Sequence, residues 1–414
     1  MNTAASEPAV AVRFFVGKGG AGKTTMAAAT AVGASAAGER VLLISLDRAH
    51  GLADVLDSPV VPGELTRVTT GFDVLEIDTL ALLEERYRGL VALLAIAGPH
   101  DHSANLTDLA PEELTGLPGV EDVLGLGEVV RLAAESRWDT VVVDCPATAD
   151  AQRLLALPES VAGCIERVWP QHRRMAALTS GDAGLAMVVA VVDRVLEATS
   201  AVTALLTDRG RTSIRLVTTP ERMALAETRR LLSSLALGAL RVDAVIVNGL
   251  LPALDSGAES SSVGDWYRTR RTAQDEVLAE VRAAAAEIVV LASEQAATEP
   301  IGWKALGGVA RKLYAGVAGP SAMLTADTEP IRVALESGSG GLDSVYAMRM
   351  HLPLANPRAL TLGRVEDDLV VGADGKRRRV TLASVLRRCT VRDADFDGTD
   401  LVVRFVPDPA VWPR

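Results

Sequence analysis

The sequence predicts an α/β protein, a mostly parallel sheet covered by helices on both faces, followed by a small all-β sandwich. Short apolar runs alternate with stretches of helical spacing along most of the 414 residues. Hydrophobic residues make up 49% of the chain and aromatic residues only 3%, so Ala, Val and Leu must form the core, which suits helices packed on a parallel sheet. Short alternating runs near the end of the chain predict the sandwich.

The predicted strands of the α/β part are brief and apolar. They lie at 10–16, 41–45, 74–77, 140–144, 213–218, 242–248 and 287–291. Residues 158–214 contain no convincing strand, and the stretch 187–206 is helical and very apolar. Such a helix is either buried in the core or a dimer contact, or it forms a surface that binds a partner.

The character of the sequence changes near residue 320. We predict one domain over 1–319, a linker over 320–341 that contains Ser-Gly-Ser-Gly-Gly, and a β-sandwich over 342–414. The predicted strands of the sandwich are 344–354, 359–364, 368–372, 376–382 and 401–406. Asp374-Gly375 and Asp397-Gly398 are typical of hairpin turns.

Charge and cysteine content exclude several classes of function. A net charge of −11 argues against a general nucleic-acid binder and against adsorption to anionic lipid. Cys145, Cys164 and Cys389 lie far apart and form no CxxC, so no thiolate zinc site or iron–sulfur cluster is expected. No apolar stretch is long enough to span a bilayer, and the first residues lack a signal-peptide pattern. We therefore expect a cytoplasmic protein.

A glycine-rich loop follows the first predicted strand and opens a helix. It matches G-x-x-x-x-G-K-[ST] and consists of Gly17, Lys18, Gly19, Gly20, Ala21, Gly22, Lys23, Thr24 and Thr25. Such a loop directs backbone N–H groups and a helix N-terminus at phosphate oxygens, which predicts a P-loop NTPase fold. We expect Lys23 to reach the β- and γ-phosphates of ATP, and the Thr24 hydroxyl to hold Mg²⁺.

The rarity of lysine makes the second lysine of this loop informative. Only five of the 42 basic residues are lysine, and two of these five lie in the loop. The sequence G-K-G-G-x-G-K-[ST] resembles the deviant Walker A loop of MinD/ParA positioning ATPases, the nitrogenase iron protein and the ArsA/Get family. In those dimers the early lysine reaches the partner's nucleotide. The resemblance thus implies a homodimer and a catalytic role for Lys18.

The segment after the second predicted strand resembles the ArsA/Get family in particular. Residues 47–54, Asp-Arg-Ala-His-Gly-Leu-Ala-Asp, are similar to its switch I, D-P-A-H-[SN]-L-x-D. Arg48 replaces the proline, and Gly51 replaces Ser or Asn. The resemblance implies that Asp47 orients the water that attacks the γ-phosphate, a task that suits a carboxylate.

The segment after the fourth predicted strand is similar to the family's switch II. Residues 144–158 match D-[TC]-A-P-T-[GA]-x-T-L-R-L-L-x-L-P at most positions, although Pro146-Ala147 inverts the usual Ala-Pro. The resemblance implies that Asp144 holds Mg²⁺ through water. Because the inverted pair lies where the γ-phosphate would be sensed, ATP binding is a safer expectation than fast hydrolysis.

The resemblance covers about residues 10–316. Residues 245–252 resemble the family's V-V-V-N-x-x-L-P, which implies that Asn248 contacts adenine through its amide. Residues 346–405 look like the α-crystallin or small-heat-shock-type sandwich appended to some bacterial members. The basic run 376–379 is more typical of a solvated hairpin strand than of a nucleic-acid site, so no nucleic acid is expected as a partner.

The leading interpretation is an ArsA/Get-family ATPase that binds ATP and Mg²⁺ as a homodimer. Its nucleotide state is expected to control a surface that binds a protein client or a membrane-protein partner. Two alternatives are a MinD/ParA-like positioning ATPase, which switch I argues against, and a nucleotide-gated holdase with little hydrolysis. Scattered cysteines argue against a metalloid cargo. Targeting members of the family use a zinc CxxC, absent here, and a Met-rich groove, whereas this chain has eight methionines.

Overall fold

The computed structural model describes residues 10–49, 51–96, 110, 113, 119–179, 181–253, 262–285 and 287–412. Its strands are β1 (Ala11–Gly17), β2 (Val41–Ser45), β3 (Thr66–Thr69), β4 (Phe72–Glu76), β5 (Thr140–Ala147), β6 (Thr212–Thr218), β7 (Val242–Leu250), β8 (Val289–Glu294), β9 (Ile331–Ser337), β10 (Val345–His351), β11 (Thr361–Val365), β12 (Asp368–Ala373), β13 (Lys376–Thr381), β14 (Cys389–Phe396) and β15 (Asp400–Pro407). Its helices are α1 (Lys23–Ala36), α2 (Leu52–Leu56), α3 (Thr79–Ile96), α4 (Val120–Ala134), α5 (Thr148–Val168), α6 (Gln171–Leu178), α7 (Ala183–Thr207), α8 (Arg222–Leu237), α9 (Ser262–Ala284), α10 (Gly302–Leu313) and α11 (Ser384–Arg387).

The chain divides into two compact units. The first unit comprises the described residues up to Thr212 together with Thr298–Ala322. Its strands lie in the order β3-β4-β2-β5-β1. The pairs β2–β4, β2–β5 and β1–β5 are parallel, and only β3 is antiparallel to its neighbour. Helices cover this sheet, so β2 and β4 are buried along their whole length, and continuous apolar runs such as Val-Leu-Leu-Ile suit them.

The second unit comprises Ser213–Ala297 together with Met323–Arg414. Its strands β6, β7 and β8 are parallel neighbours in that order. The remaining strands form two antiparallel sheets, β14-β15-β10-β9 and β11-β12-β13. Their shared core also contains Leu237, the last residue of α8, whose carbonyl accepts a hydrogen bond from Arg378 Nη1 at 2.9 Å. The β sheets therefore pack directly on the end of α8.

These sheets confirm the predicted fold class of a mostly parallel α/β part with an all-β part at the end. The predicted Asp374-Gly375 turn is also confirmed, because both residues have positive φ, +49° and +80°, and the flanking Ala373 and Lys376 pair directly. Residues 187–206 lie within α7, as predicted. Among the described residues, no helix combines the length and the hydropathy that crossing a membrane requires.

The segment 320–341, predicted as a linker, contains ordered structure. Strand β9 lies inside this segment and pairs with β10. The alternation of Ile331, Val333 and Leu335 with polar or small residues is the sequence pattern that could have predicted this strand. Within the second unit, the Thr325 hydroxyl donates to the Asp243 carbonyl at 2.6 Å and accepts from Val289 N at 3.0 Å. The domain limits 1–319, 320–341 and 342–414 stay a prediction, and a cut at residue 320 would break these bonds.

Candidate nucleotide-binding site

The glycine-rich loop connects the end of β1 to the start of α1. Gly20 and Gly22 have left-handed backbone conformations, with φ of +78° and +88°, which glycine adopts without steric cost. Gly22 is the N-cap of α1 and provides no side-chain cap for the first N–H groups of the helix. These donors and the positive end of the helix dipole are therefore available to an anion, as a phosphate-binding loop requires.

The predicted loop residues differ sharply in burial. Gly17 and Ala21 are buried, Gly22, Thr24 and Thr25 are half-buried, and Lys18, Gly19 and Gly20 are exposed. Lys23 is only 7% exposed, although it carries a charge. A buried ammonium needs an anionic neighbour, whereas Lys18 projects where a second molecule could meet it.

The Thr24 hydroxyl and the Asp144 carboxylate meet at the end of β5. Thr24 Oγ1 donates to Asp144 Oδ2 at 2.7 Å. The other carboxylate oxygen, Oδ1, is buried and has no hydrogen-bond partner within the described part of the chain. Burial raises the pKa of Asp144 to about 7, against the lowering effect of the Thr24 hydrogen bond and of Lys23, and the Asp47 charge raises it further.

This arrangement fits a magnesium ion. Mg²⁺ prefers oxygen ligands and keeps several waters, so a threonine hydroxyl and a carboxylate oxygen without a partner are suitable donors. Thr24 and Asp144 would hold the ion directly or through water. Across the described ranges, this site included, no three His, Cys, Asp or Glu side chains converge as a metal site.

Switch I leaves the end of β2 beside this pair. Leu46 N donates to the Asp144 carbonyl at 2.9 Å. The Asp47 carboxylate is half-buried and accepts a hydrogen bond from Ala49 N at 3.1 Å. A Cβ placed on Gly51 would lie 4.0 Å from Thr24 Cγ2, so the segment passes close to Thr24. His50, part of the predicted switch I, lies outside the described residues.

Switch II continues β5 into α5. Ala147 pairs with Gly17 of the loop, so the two segments run side by side. Thr148 is the first residue of α5, and its Oγ1 is buried without a hydrogen-bond partner in the described chain. Cys145 is fully buried, and burial strongly raises the pKa of its thiol. A neutral, enclosed thiol is a poor ligand for a metalloid.

Asn248 lies on β7 in the second unit, beside a cavity of about 450 Å³. The cavity is lined by Thr219, Pro220, Glu221, Asn248, Gly249, Leu251, Trp266, Arg270, Gln274 and Gln295. Gln274 is buried and accepts a hydrogen bond from Leu251 N at 2.8 Å, and Arg270 pairs with Glu221 at 3.0 Å. The volume is within the range of small-molecule sites.

Sequence reasoning missed the α9 side of this cavity. Trp266, Arg270 and Gln274 follow one another at intervals of four residues, which places them on one face of α9. The spacing of these three residues was visible in the sequence, but no sequence pattern indicated that they would lie near Asn248. In the first unit, by contrast, the fold brings Lys23, Thr24, Asp47 and Asp144 together as a cluster.

A phosphate loop that opens a helix, with a carboxylate at the end of the neighbouring parallel strand, defines a P-loop nucleotide-binding protein. The profile of the anion-transporting ATPase family, ArsA, matches residues 10–315, and the chain belongs to this family. Residues 343–405 match the HSP20-like domain found in ArsA proteins. Membership implies nucleotide binding with Mg²⁺ and points to ATPase activity.

The chain is similar to relatives along almost its whole length. It is 46% identical to Protein Rv2184c of Mycobacterium tuberculosis, with 97% of each chain covered. It is 33% identical to SCO2128 of Streptomyces coelicolor over 96% of this chain and 98% of the relative. It is also 32% identical to the ATPase GET3 of Kluyveromyces lactis, over 58% of this chain and 71% of that protein.

Proposed function

We propose that the chain is an ATP-hydrolysing dimer whose nucleotide state controls an apolar surface for a protein client. The observation that carries this proposal is the continuity of α5. This helix of 21 residues begins at Thr148, beside the phosphate loop, and ends at Val168. At 1.5 Å per residue it is about 30 Å long, and Pro158 lies inside it, so we expect a shift at switch II to reach the far end through a helix that can bend at this proline.

Four side chains have separate roles in the proposed hydrolytic step. Lys23 binds the β- and γ-phosphates. Thr24 and Asp144 would hold Mg²⁺, which would neutralise charge on the phosphate oxygens. Asp47 orients the attacking water and accepts its proton. The close spacing of these groups supports this division, since the charges of Lys23 and Asp47 both act on the pKa of Asp144.

The cavity around Asn248 is the proposed site for the adenine base. The Asn248 amide offers a donor and an acceptor to the purine edge, and the indole of Trp266 offers a face for stacking. We therefore expect the protein to bind ATP more tightly than GTP. A competition measurement with both nucleotides tests this prediction.

The proposed client surface lies on the helices that follow switch II. We call it the apolar helical surface, and it consists of the exposed side chains Val168, Met175, Leu178, Val188, Val191 and Val195. Arg174 braces this region, because its guanidinium pairs with Glu166 at 2.6 Å and with Asp193 at 2.9 Å and so joins α5, α6 and α7. Apolar groups clustered on exposed helices are typical of interaction sites.

The exposed Lys18 supports a dimer in which each subunit completes the other's site. Lys18→Ala should bind ATP with affinity within about tenfold of the parent, or 1.4 kcal/mol, because Lys23 and the loop backbone remain. Light scattering in the presence of a non-hydrolysable ATP analogue should show weaker dimerisation of this variant, and its ATP turnover should be lower than that of the parent. A mixture with Asp47→Asn should regain some activity, since one site of a mixed dimer then carries neither defect.

The decisive experiment compares ATP turnover and client capture in the full chain. Asp47→Asn should keep ATP binding and lower turnover by about 10²–10⁴-fold. Locked with ATP, this variant should retain a fluorescently labelled unfolded protein, and the added change Val191→Asp should release it. Parent-like turnover of Asp47→Asn would refute the catalytic assignment. Client binding that is unchanged by ATP and by Val191→Asp would refute the proposed coupling between nucleotide state and the apolar helical surface.

A further inference from the structure

The first turn of α4 carries two adjacent acidic residues, each paired with a different switch. The Glu121 carboxylate pairs with the guanidinium of Arg48 in switch I. Asp122 Oδ2 lies 3.0 Å from Arg153 Nη1 in switch II. Both switches are thus tied to one turn of one helix.

The pair formed by Glu121 and Arg48 joins a buried group to an exposed one. Glu121 is only 3% exposed, whereas the Arg48 side chain is 65% exposed. A carboxylate at this depth is costly without a cation, while an exposed arginine has solvent as an alternative. The buried acid therefore fixes the arginine and, through it, the backbone of switch I.

Asp47 lies between two attachment points. On one side, Leu46 N donates to the Asp144 carbonyl at 2.9 Å. On the other side, Arg48 is held by Glu121. The segment is attached again where α2 begins, because Leu52 N donates to the buried Glu76 Oε1 at 2.8 Å. The carboxylate of Asp47 is consequently placed by its neighbours on both sides, not only by its own hydrogen bond to Ala49 N.

We propose that Arg48 and Glu121 form a positioning pair for ATP hydrolysis, which holds the Asp47 carboxylate where it orients water. The proposal rests on the ATPase activity proposed above. Arg48 acts through Asp47, so losing it should lower the rate of the chemical step and leave nucleotide affinity nearly intact. A displacement of about 1 Å in a reacting group can cost about 10²-fold in rate.

The test uses the full chain with the variants Arg48→Ala, Glu121→Gln, Arg48→Lys and the double variant Arg48→Ala/Glu121→Gln. We expect the first two to lower kcat by about 10- to 100-fold, with KM and the calorimetric Kd for ATP within about threefold of the parent. Arg48→Lys should regain most of the rate, because it keeps the cation. The double variant should be no slower than Arg48→Ala, since both changes remove one interaction.

A matched control is Arg40→Ala, which removes an exposed arginine that pairs with Asp139 at 2.6 Å. Its kcat should equal that of the parent. If Arg48→Ala does not fold by circular dichroism, the near-isosteric Glu121→Gln and Arg48→Lys carry the test. Parent-like kcat in Glu121→Gln, or losses that multiply in the double variant, would overturn the positioning pair. Absence of turnover in the parent itself would instead refute the proposed ATPase.

Discussion

Two carboxylates, Asp144 and Asp243, are almost equally buried, at 1% and 0% exposure, but their surroundings differ. Asp243, on β7, pairs through Oδ2 with the fully buried Arg215 at 3.2 Å, and the same oxygen accepts from Leu324 N at 3.4 Å. Asp144, on β5, receives one hydroxyl donor and leaves Oδ1 without a partner among the described residues. The difference separates a carboxylate whose oxygens are paired within the fold from one that, in the described chain, leaves an oxygen unpaired.

The contrast extends to the groups around each carboxylate. Near Asp144, Thr148 Oγ1 lacks a hydrogen-bond partner within the described ranges, α1 has no side-chain cap, and Lys23 is buried. Near Asp243, the backbone carbonyl accepts from Thr325, and Arg241 Nη2 donates to the Thr325 carbonyl at 2.5 Å. Two buried polar atoms without a partner in the described residues, Asp144 Oδ1 and Thr148 Oγ1, thus lie beside the phosphate loop, as expected of a site that binds a polar ligand.

The largest expected effect is the loss of ATP binding in Lys23→Ala. The ammonium would form two or more charge-assisted hydrogen bonds to phosphate, each worth about 1.5–3 kcal/mol, so affinity should fall at least about 100-fold. Calorimetry measures the change, and Lys304→Ala, an exposed lysine on α10, should bind like the parent. An unchanged affinity in Lys23→Ala would refute the phosphate-loop assignment.

On the structural side of the comparison, Arg215→Ala should lower the free energy of unfolding by about 3–5 kcal/mol, because it leaves the buried Asp243 without its cation. Arg40→Ala, in an exposed pair, should cost only about 0.2–1 kcal/mol. Chemical denaturation of both variants provides the measurement. Equal losses in the two variants would contradict the role assigned to burial.

The raised pKa of Asp144 predicts a pH-dependent affinity for Mg²⁺. Below its pKa of about 7 the carboxyl carries a proton that Mg²⁺ must displace, so affinity should fall about tenfold per pH unit there and level off above pH 7. The magnesium dependence of nucleotide binding between pH 5.5 and 8.5 measures this effect. In Asp144→Asn the slope should disappear, and a slope that persists would assign the titration to another group.

The smallest expected effect concerns the Thr148 hydroxyl. Thr148→Val removes a buried hydroxyl that has no partner in the described chain, so it should raise the stability of the nucleotide-free protein by about 1 kcal/mol. Because Thr148 follows Ala147, which pairs with Gly17 of the phosphate loop, the same change should slow hydrolysis. Ser233→Ala removes a similar hydroxyl on α8, in the second unit, and should raise stability without changing turnover. If both variants behave alike in turnover, the Thr148 hydroxyl has no part in the reaction.

The parts that could be predicted from sequence are those that local pattern determines. The phosphate loop, β2, β5 and the Asp374-Gly375 turn depend on glycine chemistry or on continuous apolar runs within a few residues. Strand β14 was missed because it is polar and exposed along most of its length, and pairing with β15 determines it. The pair of Arg48 with Glu121 was missed for a similar reason, since 73 positions separate two charges that only the fold brings together.

The catalytic roles of Asp47 and Lys18, the role of Asn248 and the Mg²⁺ ligands Thr24 and Asp144 stay predictions. Trp266 and Arg270 line the same cavity as Asn248, yet in the sequence they follow it after a polar stretch whose composition indicates no chemistry. Cavities assembled from separate elements become visible only when the elements are packed.

The scarcity of lysine and the exposure of Lys18 together allow covalent footprinting. Five lysines are present, and Lys23 is buried, whereas Lys18, Lys304, Lys312 and Lys376 are exposed. An amine-reactive reagent should therefore acylate those four, and three of them lie outside the phosphate loop as internal references. A fall in Lys18 acylation on addition of an ATP analogue, relative to the three references, would report closure over the loop without any engineered label.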